Sequence, residues 1–467
     1  MSVSETSSIE LLELPQELLS HILAHLDALT VTRFKQTCKT ADKLTSAQNQ
    51  LLWKAVFLQV FDDPSDAWAM MPNQDRTKEG QNWDWFRELR RRLVALNALR
   101  SRKTPLPEDQ ACSEEFIDTI LSILDTAKFT PNTRDIRQGI SPSLDDRTLS
   151  RNLKILADYD RYRAGIEILI HDSGRSPKSR ITRSMVVADE EHNRPESASR
   201  LHVLNGITIR ERIEHRARGI ARRKVYNWHL TGPDNDYGPF KRDGTGRVDW
   251  SLLEGVCSVI GRNFEFCVES QLSLPSGFAY SIPHRTLADP TVPEDWARVT
   301  GSWLGTYSFL DYADLFAFNA ANFPESERPT LDREHEACGD LMRLSLKIDQ
   351  SISSDPVLKT SLPFSTDLPP LYFSGISRAS AGLERPSIGF RGCAFLMPGG
   401  REVRWRYIIS YAGQDQWQLE GIQPGGVRSG GVFGLWSQCD HEEHGPVGPF
   451  CYFPAELCKP TTLVLVS

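Results

Sequence analysis

Near Trp296 the apolar residues change their spacing, from a helical repeat of three to four to short alternating runs, and no single-layer architecture accommodates both. Downstream, "SWLGTYSFL", "LMRLSLKI", "LYFSGI", "VRWRYIISYA", "QWQLEGI", "VFGLWSQ" and "TTLVLV" are separated by clusters of Gly, Pro, Asp and Ser. These runs predict an antiparallel β-barrel-like domain, or a sandwich, over residues 291–467. Upstream the text is helical. "LPQELLSHILAHL" from Leu14 to Leu26, a helix from Thr30 with that hydroxyl as its expected cap, and "LLWKAVFLQVF" from Leu51 to Phe61 make a unit over residues 10–62. "WDWFRELRRRLVALNALRSRK" (Trp83 to Lys103) and "SEEFIDTILSILDTA" (Ser113 to Ala127, expected to be capped by Ser113) lie in a helical region over residues 80–170. Residues 171–200 lose the apolar repeat and read as a polar linker. Residues 201–290 read as a helical and irregular connection, with helices expected at Ile209 to Trp228 and Val248 to Phe264. The predicted fold class is α+β, helical first and β afterwards, with a polar loop at "NFPESERPTLDREHEACGD".

The first helix carries more apolar residues than one buried side needs. Leu18, Ile22, Leu26 and Leu29 form one stripe and Leu19, Leu23 and Leu26 an adjacent one, which together exceed the ~100° arc of an ordinary surface helix. Two packing partners are implied: the chain's own core and something else.

Composition narrows what that something is. A net charge of −7 and a pI near 5.9 argue against nucleic acid as the main partner. Arginines do cluster at Arg87, Arg90, Arg91 and Arg92, and again at Arg210, Arg212, Arg216, Arg218, Arg222 and Arg223, where pairing with the chain's many acids is the expected role. The nine cysteines include no C-x-x-C pair, and no apolar run approaches the ~18–20 residues of a membrane span. With no leader-like apolar segment at the start, the expectation is a reduced protein of the cytoplasm or nucleus that binds neither membrane nor nucleic acid.

No catalytic constellation is legible. A nucleophile elbow and a phosphate-binding P-loop are absent, and "RDGTGR" from Arg242 to Arg247 lacks the context of a dinucleotide fingerprint. Cys439, His441, His444, Cys451 and Cys458 are near one another in sequence, but their spacing is irregular and Gly445-Pro446 breaks any helix through the imidazoles. A polar turn between strands is the expectation there. His21 and His25, four apart on the first helix, lack a third ligand nearby. Neither a metal nor a cofactor is expected.

The run "LPQELLSHILAHLDALTVTRFKQTCKTADKL", followed by "LLWKAVF", resembles the F-box, a three-helix module. Leu14, Pro15, Leu18, Ile22, Leu26, Phe34 and Trp53 fall in the order and spacing of that motif. The resemblance implies that the second apolar surface docks a Skp-family adaptor, and through it a cullin-RING ubiquitin ligase, with this chain as a non-catalytic subunit. Further on, "ARRKVYNWHLTGPDNDYGPF", "VTGSWLGTYSFLDYADLFAFN" and "GVFGLWSQCDHEEHGPVGPF" look like phrases of a fungal F-box family. The W-x-G-x-Y element at Trp303, Gly305 and Tyr307 is similar to the start of a substrate-gripping barrel in an animal F-box-only protein. That likeness implies an unknown protein substrate held by the β domain, with Trp303, Tyr307, Trp436 and His441 as contact residues. The same Gly-x-Trp start also resembles lipocalin-like barrels, which implies the alternative of a small-ligand barrel on a helical scaffold.

Overall fold

Asp27 starts the second helix, accepting hydrogen bonds from the Leu29 and Thr30 amides at 3.0 Å each and from the Thr30 hydroxyl at 2.6 Å. The cap is therefore an aspartate, and Thr30 lies inside the first turn instead of capping it. The structure is a computed structural model that describes residues 11–68, 83–101, 110–127, 150–156, 158–172, 194–213, 215–267, 272–273, 278, 293–320, 331, 336–339, 341–378, 388–428, 430–455 and 458–460.

Four short helices come first: α1 Gln16–Leu23, α2 Ala28–Lys35, α3 Lys39–Leu44 and α4 Gln50–Val60. Further helices follow at α5 Trp85–Ser101, α6 Gln110–Asp125, α7 Tyr159–Asp172, α8 Glu196–Asn205, α9 His215–Val225 and α10 Trp250–Cys267. Three of these differ from the sequence expectation. α6 begins before Ser113, so that residue does not cap it. α8 begins inside the expected polar linker, because Ala198, Leu201 and Leu204 recur at helical spacing and all reach the core. The segment from Ile209 to Trp228 divides into Ile209–Ile213 and α9. The remainder of the expected linker, residues 173–193, lies outside the described residues.

One apolar cluster joins α1, α2 and α4 to α5, α6, α7 and α8. Leu23, Val31, Leu52, Trp53, Val56 and Phe57 from α1, α2 and α4 pack with Leu89, Leu96 and Leu99 of α5, Ile117 and Ile120 of α6, Ile166 and Leu169 of α7 and Leu201 of α8. Trp53 and Phe57 meet Phe86 and Trp85 at ring-centroid distances of 4.8 and 5.3 Å, so the first four helices share their core with α5. Arg92 is buried there, its guanidinium 5.0 Å from the Phe57 ring and 5.1 Å from that of Phe61, and it donates to the Thr126 hydroxyl at 2.9 Å.

The second half is an antiparallel barrel of eight strands. β1 Gly301–Leu310 pairs with β3 Met342–Ile348, and the order runs on through β4 Leu371–Arg378, β5 Ile388–Leu396, β6 Val403–Tyr411, β7 Gln414–Gln423, β8 Val432–Gln438 and β9 Val447–Pro454. β9 returns to β1, placing Phe450 opposite Tyr307 and Pro454 opposite Trp303, which closes the sheet and leaves no unpaired edge between those strands. A three-residue strand, β2 Glu336–Cys338, pairs with the end of β1. It falls within the expected polar loop, most of which lies outside the described residues, as does "TTLVLV". A helix, α11 Tyr312–Ala320, follows β1 directly. The strand-like reading of that region did not anticipate it.

Period-two alternation sends alternate residues to the two faces of the barrel. Inside lie Trp303, Leu344, Leu346, Leu371, Phe373, Phe390, Trp405, Tyr407, Leu419, Phe450 and Tyr452. Outside, Leu304, Phe433, Leu435, Cys451 and Phe453 pack against Val256, Val259, Ile260 and Phe264 of α10, so this helix fastens the barrel to the helical half. Inward glycines make room for the rings. A Cβ on Gly421 would stand 2.8 Å from the Phe450 ring, and one on Gly434 only 1.9 Å from the Glu420 carbonyl oxygen.

Candidate docking face and barrel mouth

α1 separates its two stripes cleanly. Leu19 and Leu23 are buried at 3% exposure each, whereas Leu18 and Ile22 are 51% and 41% exposed. Leu29 of α2 and Leu51 of α4 add 59% and 84% exposure, and Leu11 and Leu12 are exposed just before α1. Leu14 is half-buried and Pro15 exposed, while Leu26 and Phe34 are half-buried against the helical core. Trp53 corrects the sequence expectation. It is 2% exposed, packs in the core and donates its indole N–H to the Ser46 carbonyl at 3.0 Å, so it supports the exposed face from behind instead of belonging to it. Exposed large apolar side chains on several consecutive short helices are what a partner-binding surface requires.

The barrel has unlike ends. At one, Trp303 is buried and donates to the Val299 carbonyl at 2.9 Å, Trp296 donates to the Pro369 carbonyl at 2.8 Å, and Trp405 donates to the Gln423 amide oxygen at 3.0 Å. This end is closed. Trp303 is thereby corrected from a contact residue to a structural plug, because its side chain is buried and sealed by the segment before β1. At the other end Tyr307, Met342, Ile388, Tyr411 and Trp417 are only partly buried above the interior cluster. Trp436 lies just beneath, 6.0 Å from Tyr307 and 5.1 Å from Trp417 between ring centroids, with its N–H donated to the Ser308 carbonyl at 3.0 Å. Of the four expected contact residues, Tyr307 and Trp436 therefore share this mouth. Met342, Tyr411 and Trp417 belong with them and escaped sequence reading, although alternate positions in "VRWRYIISY" carry the signal for Tyr411.

His441 lies elsewhere, on the outer flank in the connection after β8. Its ring stacks on Tyr237 at 3.6 Å, and the segment containing Tyr237 straps the outside of the barrel. Burial, then the Arg406 cation, push the His441 pKa down. The strap is anchored by ions. Asp236 accepts from Arg404 at 2.7 Å and lies 3.1 Å from Arg406, and both arginines also grip the buried Glu420 carboxylate. Burial opposes charge on Asp236, but Arg404 prevails and its carboxyl titrates below the usual range.

The other sequence candidates are dispersed. Cys451 and Cys458 are buried thiols, Cys439 is half-buried with its pKa pushed up to about 11 by burial, and His444 packs beside Trp228 at 4.9 Å. Among the described residues no group of three or more His, Cys, Asp and Glu side chains is placed to hold a metal. His21 of α1 and His25 just beyond its end are both exposed and face each other edge-on at 5.0 Å. Two arginines of the second cluster turn inward: Arg218 and Arg222 pair with Glu336 at 3.0 and 2.7 Å, and Tyr226 donates to the same carboxylate at 2.6 Å. No helix among the described residues is long and apolar enough to cross a membrane.

No curated protein matches the chain, and no solved structure does. One protein-family model, described as F-box-like, matches residues 11–59, the stretch whose helices bear the exposed leucines. The chain carries an F-box-like domain at its helical end, joined to an eight-stranded antiparallel barrel.

Proposed function

We propose that the chain is the substrate-recognition subunit of an SCF-type cullin-RING ubiquitin ligase, docking a Skp-family adaptor through the F-box-like domain and a target protein through the β domain. The observation that carries this reading is the division of α1, which buries Leu19 and Leu23 and leaves Leu18 and Ile22 uncovered. A groove on an adaptor would cover that face, with apolar anchors at its centre and charged residues at its rim. In this reading partner subunits transfer ubiquitin, and the chain raises the effective concentration of a substrate lysine near the charged conjugating enzyme. The working compartment is then the cytoplasm or nucleus, where the free thiols remain reduced.

The test uses the full chain, because Trp53 and Phe57 pack on α5 and the first four helices lack a complete core of their own. Co-expressed with a Skp-family adaptor, the chain should co-purify in a stoichiometric complex. The double variant Leu18→Asp with Ile22→Asp should abolish the complex while the chain keeps its melting temperature. Survival of the complex in that variant would falsify the docking assignment.

A further inference from the structure

Tyr407 is fully buried inside the barrel, yet its hydroxyl has no hydrogen-bond partner. The ring is held on all sides. It stacks on Trp405 at 5.7 Å and meets Phe373, Tyr452 and Phe450 at 5.5, 5.6 and 6.1 Å between centroids, so it cannot swing to find a partner. Tyr452 is little better served. Its hydroxyl reaches the thioether sulfur of Met342 at 3.8 Å, a weak acceptor. Burial first, then Tyr452 beside Tyr407 and the Cys451, Tyr411 and Tyr307 groups beside Tyr452, push both phenols well above the usual tyrosine pKa, so both remain O–H donors at neutral pH. Met342 belongs to the half-buried rim, and Tyr407 adjoins Tyr452, so the buried donors lie beneath that rim.

A buried donor without an acceptor costs stability, and a ligand that supplies the acceptor recovers it. The surroundings define that ligand. The residues at this end, Tyr307, Met342, Ile388, Tyr411, Trp417 and Trp436, carry no charge to offset the lost hydration of an ionic compound. Aromatic rings dominate the rim, which favours a flat apolar body. The opposite end is plugged by Trp303 and Trp296, so entry is from the mouth.

We propose that the barrel mouth binds a small, uncharged, flat compound whose carbonyl oxygen accepts a hydrogen bond from the Tyr407 hydroxyl. The site concerns the barrel interior alone and holds whether or not the helical domain docks an adaptor.

The experiment uses the full chain without any adaptor and two probes. One is the fluorescent ketone 6-propionyl-2-(dimethylamino)naphthalene, and the other is 2-(dimethylamino)naphthalene, which has the same rings and no carbonyl. The ketone should bind saturably with a blue-shifted emission and more tightly than the parent amine. Tyr407→Phe should weaken the ketone about fivefold, the worth of one neutral hydrogen bond, and leave the amine unchanged. The same variant, free of ligand, should melt at a higher temperature than the parent, because an unpaired buried donor has been removed. Trp417→Leu at the rim should weaken both probes. Equal ketone affinity in parent and Tyr407→Phe, absence of saturable ketone binding, or a Tyr407→Phe chain that melts lower than the parent would each overturn the proposal.

Discussion

Leu18 and Leu19 are adjacent in the chain and lie on different faces of α1, one 51% and the other 3% exposed. One residue of advance along a helix turns a side chain by about 100°, enough to move it from solvent to core. The two leucines should therefore fail differently. Leu19→Ala should lower unfolding free energy by about 3 kcal/mol, as a buried truncation does. Leu18→Ala should stay within about 0.5 kcal/mol of the parent in the same urea titration. Leu18→Asp should lose adaptor binding with little change in the urea midpoint. If Leu18→Ala unfolds as readily as Leu19→Ala, the uncovered face is part of the core.

That pair also shows where sequence reading ends. Both stripes of α1 are legible from spacing, and so is the need for two partners; which stripe faces inward is decided by α4, whose Val56 and Phe57 receive Leu23. The strands were legible as well, because Trp405, Tyr407, Ile409 and Tyr411 keep strict alternation. Barrel closure was not, since β9 meets β1 through a register between residues such as Phe450 and Tyr307 that no local pattern encodes. Trp303 was legible as the start of the barrel, but its expected place among the substrate contacts did not survive its burial. Its inward side is a matter of alternation, but open and closed ends depend on the 293–299 segment folding back beneath it. The strap was invisible for the same reason: Asp236 and Arg404 are 168 residues apart.

The strap's ions give a second prediction. Glu420 is buried and bridges Arg404 and Arg406, which share Asp236 as their other partner. Glu420→Gln keeps the shape and removes one of two anions facing two buried cations, so it should destabilise the chain by about 3 kcal/mol. The exposed pair Arg242 and Asp234, 2.9 Å apart on the same strap, is the contrast. Arg242→Ala should cost less than about 1 kcal/mol in the same denaturant series, since water screens that pair. Equal losses from the two substitutions would mean that burial does not govern the network.

Gly434 tests the close approach of β8 to β7. A Cβ there would collide with the Glu420 carbonyl oxygen, a backbone atom that cannot turn aside. Gly434→Ala should therefore part β8 from β7 locally and destabilise the chain by about 2 kcal/mol, or more if the strands cannot shift. Gly399→Ala is the control: its Cβ would meet nothing within 4 Å, and its φ of 94° makes the expected smaller loss one of backbone strain alone. Amide exchange at Glu420 and Phe433 distinguishes the two, rising in Gly434→Ala and not in Gly399→Ala.

The helical half should set the response to pH through two histidines. His202 lies between Glu254, 2.5 Å from its Nδ1, and Glu211, 2.7 Å from its Nε2. Burial opposes its charge, but the two carboxylates overcome that and raise its pKa from 6.5 to about 9. His171, packed edge-on against His202 at 5.4 Å, goes the other way: burial and then the His202 cation lower its pKa from 6.5 to about 3. A raised histidine stabilises fully below its unfolded pKa and loses that contribution as pH climbs from 6.5 to about 9. A depressed one stabilises fully above its unfolded pKa and loses that contribution as pH falls from 6.5 to about 3. The two slopes meet, so these groups place the stability maximum close to pH 6.5, with the urea midpoint falling on both sides. His202→Gln should flatten the alkaline slope while lowering the maximum, because Glu211 and Glu254 lose their shared cation. A variant that keeps the parent's alkaline slope would show that the slope arises from another group.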